Sequence, residues 1–134
     1  MCITKMRQDV ESILHAAIEA VKPAHLIAGA VTAEEAILRI GGLRLDLNRF
    51  QHVVVVGAGK ATAAMAHALE QLLGRRITDG LVVVPDGLSR PLKRIRVMEA
   101  GHPLPDERGV AAAHAVFALV EEYARPDSLM LCLI

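Results

Sequence analysis

The chain has 134 residues, which bounds it to one domain, and 53% of them are hydrophobic against 22% charged, so it can fill a core and is not a disordered segment. Fifteen basic and fifteen acidic residues give a net charge of zero, which removes the main electrostatic motive for holding a nucleic acid or an anionic bilayer. Phe50, Phe117 and Tyr123 are the only aromatic rings of the Phe, Tyr and Trp type, too few for a base-stacking platform. Cys2 and Cys132 lie at opposite ends and form no disulfide framework, and no His/Cys spacing suggests a metal. With neither a signal peptide nor a bilayer-length apolar stretch, the expected setting is the reducing cytoplasm.

Apolar residues recur at helical spacing through Met6, Val10, Ile13, Leu14, Ala17, Ile18 and Val21, which predicts a helix that Pro23 interrupts. Thr32-Ala33-Glu34-Glu35 reads as a capping box, whereas Ile37 to Leu45 reads as two short strands about Gly41-Gly42. The hairpin is preferred: two glycines supply the positive φ angles of a type I′ turn, and each would cost a helix about 1 kcal/mol.

Val53 to Val56 is an unbroken β-branched run of the kind buried on both faces of a parallel sheet, ended by Gly57-Ala58-Gly59. A helical stripe follows at Ala61, Ala64, Met65, Ala68, Leu69 and Leu72 and closes at Gly74. Leu81 to Val84 repeats the buried-strand signature as far as Pro85-Asp86-Gly87. Ile95 to Ala100 gives a third strand before Gly101-His102-Pro103. Pro105-Asp106 opens a helix with Val110, Ala113, Phe117, Val120 and Ala124 expected on one face, and Leu129 to Ile134 is a fourth apolar run, in which the sequence stops. Strands alternating with helices make the fold class α/β: a Rossmann-like parallel sheet with helices on both faces, incomplete at the C-terminus.

Ligands of such sheets bind beyond the carboxyl ends of the strands. Gly57, Ala58 and Gly59 let backbone approach a ligand there, and the helix expected to start near Lys60 offers free N–H groups to an anion. A cation at a helix start opposes the dipole, so Lys60 implies a negative ligand; the plainer reading is a tight turn with a solvated lysine. The segment is not a P-loop, because Val54 and Ala61 stand where a Gly and a Ser or Thr are needed. It is an incomplete dinucleotide fingerprint, with Thr62 at the third glycine site and only Asp86, past a proline, as the acid. His102 is read either as a group that binds a substrate oxygen or moves a proton, or as an ordinary loop histidine. Asp106 is most simply a helix cap and Asp86 a turn former, so no metal ligand is assigned.

Asp46-Leu47-Asn48-Arg49-Phe50, Val53 to Ala61, Gly80 to Val84 and, above all, Glu99-Ala100-Gly101-His102-Pro103-Leu104-Pro105-Asp106-Glu107 resemble the N-terminal part of the type-2 glycerate kinase family. Its members carry the MOFRL domain and are often labelled hydroxypyruvate reductase in bacteria. The resemblance implies that residues 1–134 are the first segment of a single α/β kinase domain, about the first third of a typical member. The second domain is absent, and the chain stops just short of the family's Ser-Gly-Gly-Gly-Ser loop. The isolated chain is then expected to be inactive, with its last strand an aggregation hazard.

The implied activity is ATP-dependent phosphorylation of D-glycerate to 2-phosphoglycerate with Mg²⁺. Lys60 is carried over as the catalytic lysine, and Gly57, Ala58, Gly59 and His102 as substrate- or phosphate-binding residues. The implied partner is the small molecule, without nucleic acid or membrane, and a homodimer is compatible. Two other readings stay open: NAD(P)H-dependent reduction of hydroxypyruvate, and a non-catalytic remnant that binds a small anion.

Overall fold

The computed structural model describes residues 3–134. Two helices, Ile3–Ala20 (α1) and Pro23–Ala30 (α2), lead into an antiparallel sheet of Val31–Glu34 (β1), Ile37–Ile40 (β2) and Leu43–Asp46 (β3). Pro23 does more than interrupt the first helix. It stands in the opening turn of α2, where its missing N–H would have had no partner, and Lys22 before it is extended.

The hairpin about Gly41-Gly42 is present, with Ile40 opposite Leu43. Only Gly41 takes a positive φ, 55°, which is the pattern of a type II′ turn and corrects the expected type I′. The capping-box reading of Thr32 to Glu35 gives way to a further strand. β1 pairs with β2 across a tight turn in which Glu35 holds φ at 53°. This pairing lets Leu38 and Val31 be buried in the same core as the second sheet.

That second sheet is parallel and consists of His52–Ala58 (β4), Asp79–Pro85 (β5), Arg96–Ala100 (β6) and Ser128–Leu133 (β7). Its order is β6-β5-β4-β7, so the strand order reverses between β4 and β7, the kind of place where doubly wound sheets bind ligands. Thr62–Leu73 (α3) joins β4 to β5, and Glu107–Glu122 (α4) joins β6 to β7. The two helices cover opposite faces. Val53 and Val55 share a core with Ala66 and Leu69 of α3, whereas Val54 and Val56 share one with Leu119 of α4. Successive strand residues point to opposite faces, which is why the valine run is apolar at every position.

α3 closes at Gly74 with φ at 51°, as expected. α4 presents a different face from the expected one. Ala112 and Leu119 are buried, with Ala115, Val116, Val120 and Tyr123 packed beside them, whereas Val110 and Phe117 are 60% and 66% exposed and Ala113 and Ala124 are exposed. The helix is apolar over an arc wider than the sheet can cover, and of the residues expected inward only Val120 packs on the core. α1 buries none of its residues, so its apolar stripe is open. β7 pairs with β4 on one side, and its other edge carries no strand among the described residues. Cys132 on β7 is exposed, while Cys2 lies outside the described residues. Among the described residues no helix is long and apolar enough to cross a membrane.

Candidate functional site

At the carboxyl edge of the parallel sheet, β4 runs through Gly57 and Ala58 before the chain turns at Gly59, whose φ of 137° is a glycine conformation. The Gly59 amide donates to the Val83 carbonyl at 3.0 Å, and its own carbonyl accepts from the Thr62 amide at 3.2 Å. The turn is therefore fixed to β5 on one side and to α3 on the other.

Gly57 also meets a packing constraint. A Cβ there would come within 2.8 Å of the Thr62 methyl and 2.9 Å of Leu133 Cβ, and would press on the Leu133 carbonyl. The missing side chain thus lets β7 and α3 close on β4.

α3 begins at Thr62, two residues later than the start expected near Lys60, and its N-cap Ala61 supplies no side-chain acceptor. No acidic residue stands in its first turn. The first amides are therefore without a side-chain partner, and Lys60, exposed just ahead of them, makes no side-chain hydrogen bond or ion pair among the described residues. A positively polarised helix end beside an unpaired ammonium suits a carboxylate or phosphoryl group.

His102 faces the same edge. It follows Gly101, where a Cβ would come within 2.7 Å of the Leu104 carbonyl and 2.8 Å of Asp106 Oδ2, so the loop folds tightly enough to exclude any side chain at 101. The His102-Pro103 peptide bond is cis. Ala58, Gly59, Val83, Pro85, Gly101 and His102 line a shallow cleft of about 160 Å³. The fold thus brings Ala58, Gly59 and His102 together, and Lys60 is not among the lining residues. Gly57 belongs instead to an apolar groove of about 400 Å³ between the β4–β7 reversal and α4, which Ala58 also borders.

Three carboxylates at this edge, Asp86, Glu99 and Asp106, are committed. Arg108, a residue that the sequence pattern did not single out, pairs with both oxygens of Asp86 at 2.6 and 2.8 Å and reaches Asp106 with its Nε at 2.8 Å. Asp106 also caps α4 by accepting from the Gly109 amide at 3.1 Å. Hydrogen bonds from Arg108 hold the pKa values of Asp86 and Asp106 below the ordinary range for aspartate and raise that of Arg108. Glu99 Oε1 accepts from the Gly87 and Ser89 amides at 3.1 and 3.3 Å. Among the described residues no group of three or more His, Cys, Asp and Glu side chains converges. The residues present fit an anion; they do not fit a set of ligands for a divalent cation.

Residues 9–134 match the family model described as "Domain of unknown function (DUF4147)". A glycerate 2-kinase of Pyrococcus horikoshii is 33% identical over 88% of the chain and 26% of its own length. A protein of Agrobacterium vitis, provisionally named a hydroxypyruvate reductase, is 46% identical over 60% of the chain and 18% of its own length. The crystal structure of a glycerate kinase from Thermotoga maritima superposes with a TM-score of 0.76 and 28% identity, covering 98% of this chain and 28% of that one. The chain therefore spans about a quarter of the length of the glycerate kinases it matches, and the resemblance carried by the 53–61 and 99–107 segments agrees with these relatives.

Proposed function

The chain belongs to the DUF4147 family, and from that premise we propose that it supplies the first segment of a longer α/β domain that phosphorylates D-glycerate. In this reading the phosphoryl donor is ATP, acting with Mg²⁺, the product is 2-phosphoglycerate and the setting is cytoplasmic. The carrying observation is the Gly59 turn, which lines a shallow cleft together with His102 and leads through the unpaired Lys60 to the start of α3, which has no side-chain cap.

Phosphoryl transfer depends on positioning and on neutralising charge more than on covalent chemistry by the protein. ATP supplies the transferred group. Lys60, with the positive end of the α3 dipole, stabilises the negative charge on the glycerate carboxylate or on the phosphoryl group in transit. His102 holds a substrate oxygen. Asp86 and Asp106 are occupied by Arg108, so no step is assigned to a metal held by these carboxylates.

The test uses the native protein that carries this segment. D-glycerate should drive release of ADP, and Lys60→Ala should lower turnover at least about a hundredfold with the fold intact; near-normal turnover rejects the role. Reduction of hydroxypyruvate is the second reading, favoured by the strand order of the sheet and by the label of the Agrobacterium vitis relative. Against it, the acid that would hold a dinucleotide ribose, Asp86, has both oxygens paired with Arg108. Oxidation of NAD(P)H by hydroxypyruvate without release of ADP would favour that reading, and saturable glycerate binding without any turnover would favour an anion-binding remnant.

A further inference from the structure

We propose that Arg108 is a positioning residue: its guanidinium ties the loop after β5 to the loop after β6 and so sets the width of the cleft beside His102. The proposal rests on the reading of that cleft as the glycerate site, although the tie itself involves no substrate.

Asp86 is the first residue beyond β5, and Arg108 meets it fork on fork, Nη1 on Oδ1 and Nη2 on Oδ2. This bidentate geometry fixes orientation as well as distance. The third arm, Nε, is spent on Asp106. Asp106 in turn caps α4 and sits against Gly101, so closely that a methyl group at 101 would touch its Oδ2.

His102 to Pro105 is the stretch of chain strung between Gly101 and Asp106, and the first of these residues lines the cleft. One guanidinium therefore joins the two walls: Pro85-Asp86 on one side and Gly101-His102 on the other. Glu99 fastens the same β5 loop a second time, through the Gly87 and Ser89 amides. Exposed ion pairs contribute little to global stability. A guanidinium that uses three nitrogens on two loops acts instead on their separation, and lysine cannot reproduce it, because an ammonium offers no fork.

The experiment measures amide hydrogen exchange across residues 3–134 of the native protein that carries them, together with D-glycerate affinity, in the unaltered protein, Arg108→Ala, Arg108→Lys, Asp86→Asn and the double variant Asp86→Asn/Arg108→Ala. Arg108→Ala should speed exchange at the bonded amides of Gly87, Leu88, Ser89 and Gly101 about fivefold, with the interior of β4 and β5 unchanged. Arg108→Lys should fail to restore protection, and the double variant should add nothing to Arg108→Ala. Affinity for D-glycerate should fall by a similar factor.

Unchanged exchange in the two loops overturns the proposal, as does a loss of protection spread through the sheet, which would make Arg108 a general stabiliser. Additive effects of Asp86→Asn and Arg108→Ala, or faster exchange with unchanged affinity, also overturn it. If the unaltered protein binds no D-glycerate, the substrate assignment alone falls, and the exchange rates still decide for or against Arg108.

Discussion

Glu70, inside α3 and only 8% exposed, accepts the Ile95 amide at 2.9 Å and so ties a helix to the chain entering β6. The Lys93 and Arg94 amides point at the same carboxylate, at 2.9 and 2.6 Å. The β5-to-β6 connection contains no helix, and these three bonds stand in for one. Burial by itself pushes the Glu70 pKa up; the three amides, with His67 nearby, outweigh it and hold the carboxyl below the ordinary glutamate value.

A carboxyl whose pKa is lowered by folding contributes stability above its unfolded pKa of about 4.3 and loses it as the pH falls through the folded value. Glu70→Gln should therefore cost about 1–3 kcal/mol at pH 7, through amides left with a poorer acceptor. The difference from the unaltered chain should shrink as the pH is taken towards 3. Urea unfolding at the two pH values measures this, and an equal difference at both would refute the account.

Gly57→Ala tests the close approach of β7 and α3 to β4. The new methyl meets the Leu133 backbone and the Thr62 side chain, so the strands must shift, at a cost of about 1–3 kcal/mol. Gly42→Ala is the control: it faces open space without a positive φ and should change stability by no more than about 0.5 kcal/mol. Equal melting temperatures for the two variants would count against the packing described for Gly57.

On α4 the prediction is a contrast between neighbours on opposite sides. Leu119→Ala removes a side chain 3% exposed and should cost about 2–5 kcal/mol, whereas Phe117→Ser, at a position 66% exposed, should stay within about 0.5 kcal/mol. A large loss from Phe117→Ser would mean that the apolar groove beside it is covered in solution.

These contrasts also show what the sequence could and could not reveal. The valines of β4 were legible because burial on both faces leaves no polar position, and Gly74 because few residues other than glycine take its φ. The buried side of α4 was not legible: Val110, Ala113 and Phe117 are as apolar as Ala112, Val116 and Leu119, and only contact with the sheet separates the two sets. β1 was hidden behind a local capping pattern, since nothing in Glu34-Glu35-Ala36 announces a tight turn. At the candidate site, the sequence placed the Gly57-to-Gly59 turn and His102 at one sheet edge, where Ala58, Gly59 and His102 share a cleft, but the packing of Gly57 appears only once β7 lies alongside β4. Arg108 lies 22 residues from Asp86, a separation at which sequence gives no hint of pairing.

The turn between β1 and β2 carries a local cost that can be relieved. Glu35 holds φ at 53°, a conformation that disfavours side chains with a Cβ by about 1–2 kcal/mol. Glycine removes that strain and in exchange loses more entropy on folding, about 0.5–1 kcal/mol. Glu35→Gly should therefore raise stability slightly, by up to about 1 kcal/mol, and Glu35→Val, branched at Cβ, should lower it. Both changes are read from the unfolding midpoint at constant denaturant dependence. A stabilising valine would show that Glu35 does not hold the left-handed conformation, and the β1–β2 register, with Glu34 opposite Ile37, would then have to shift.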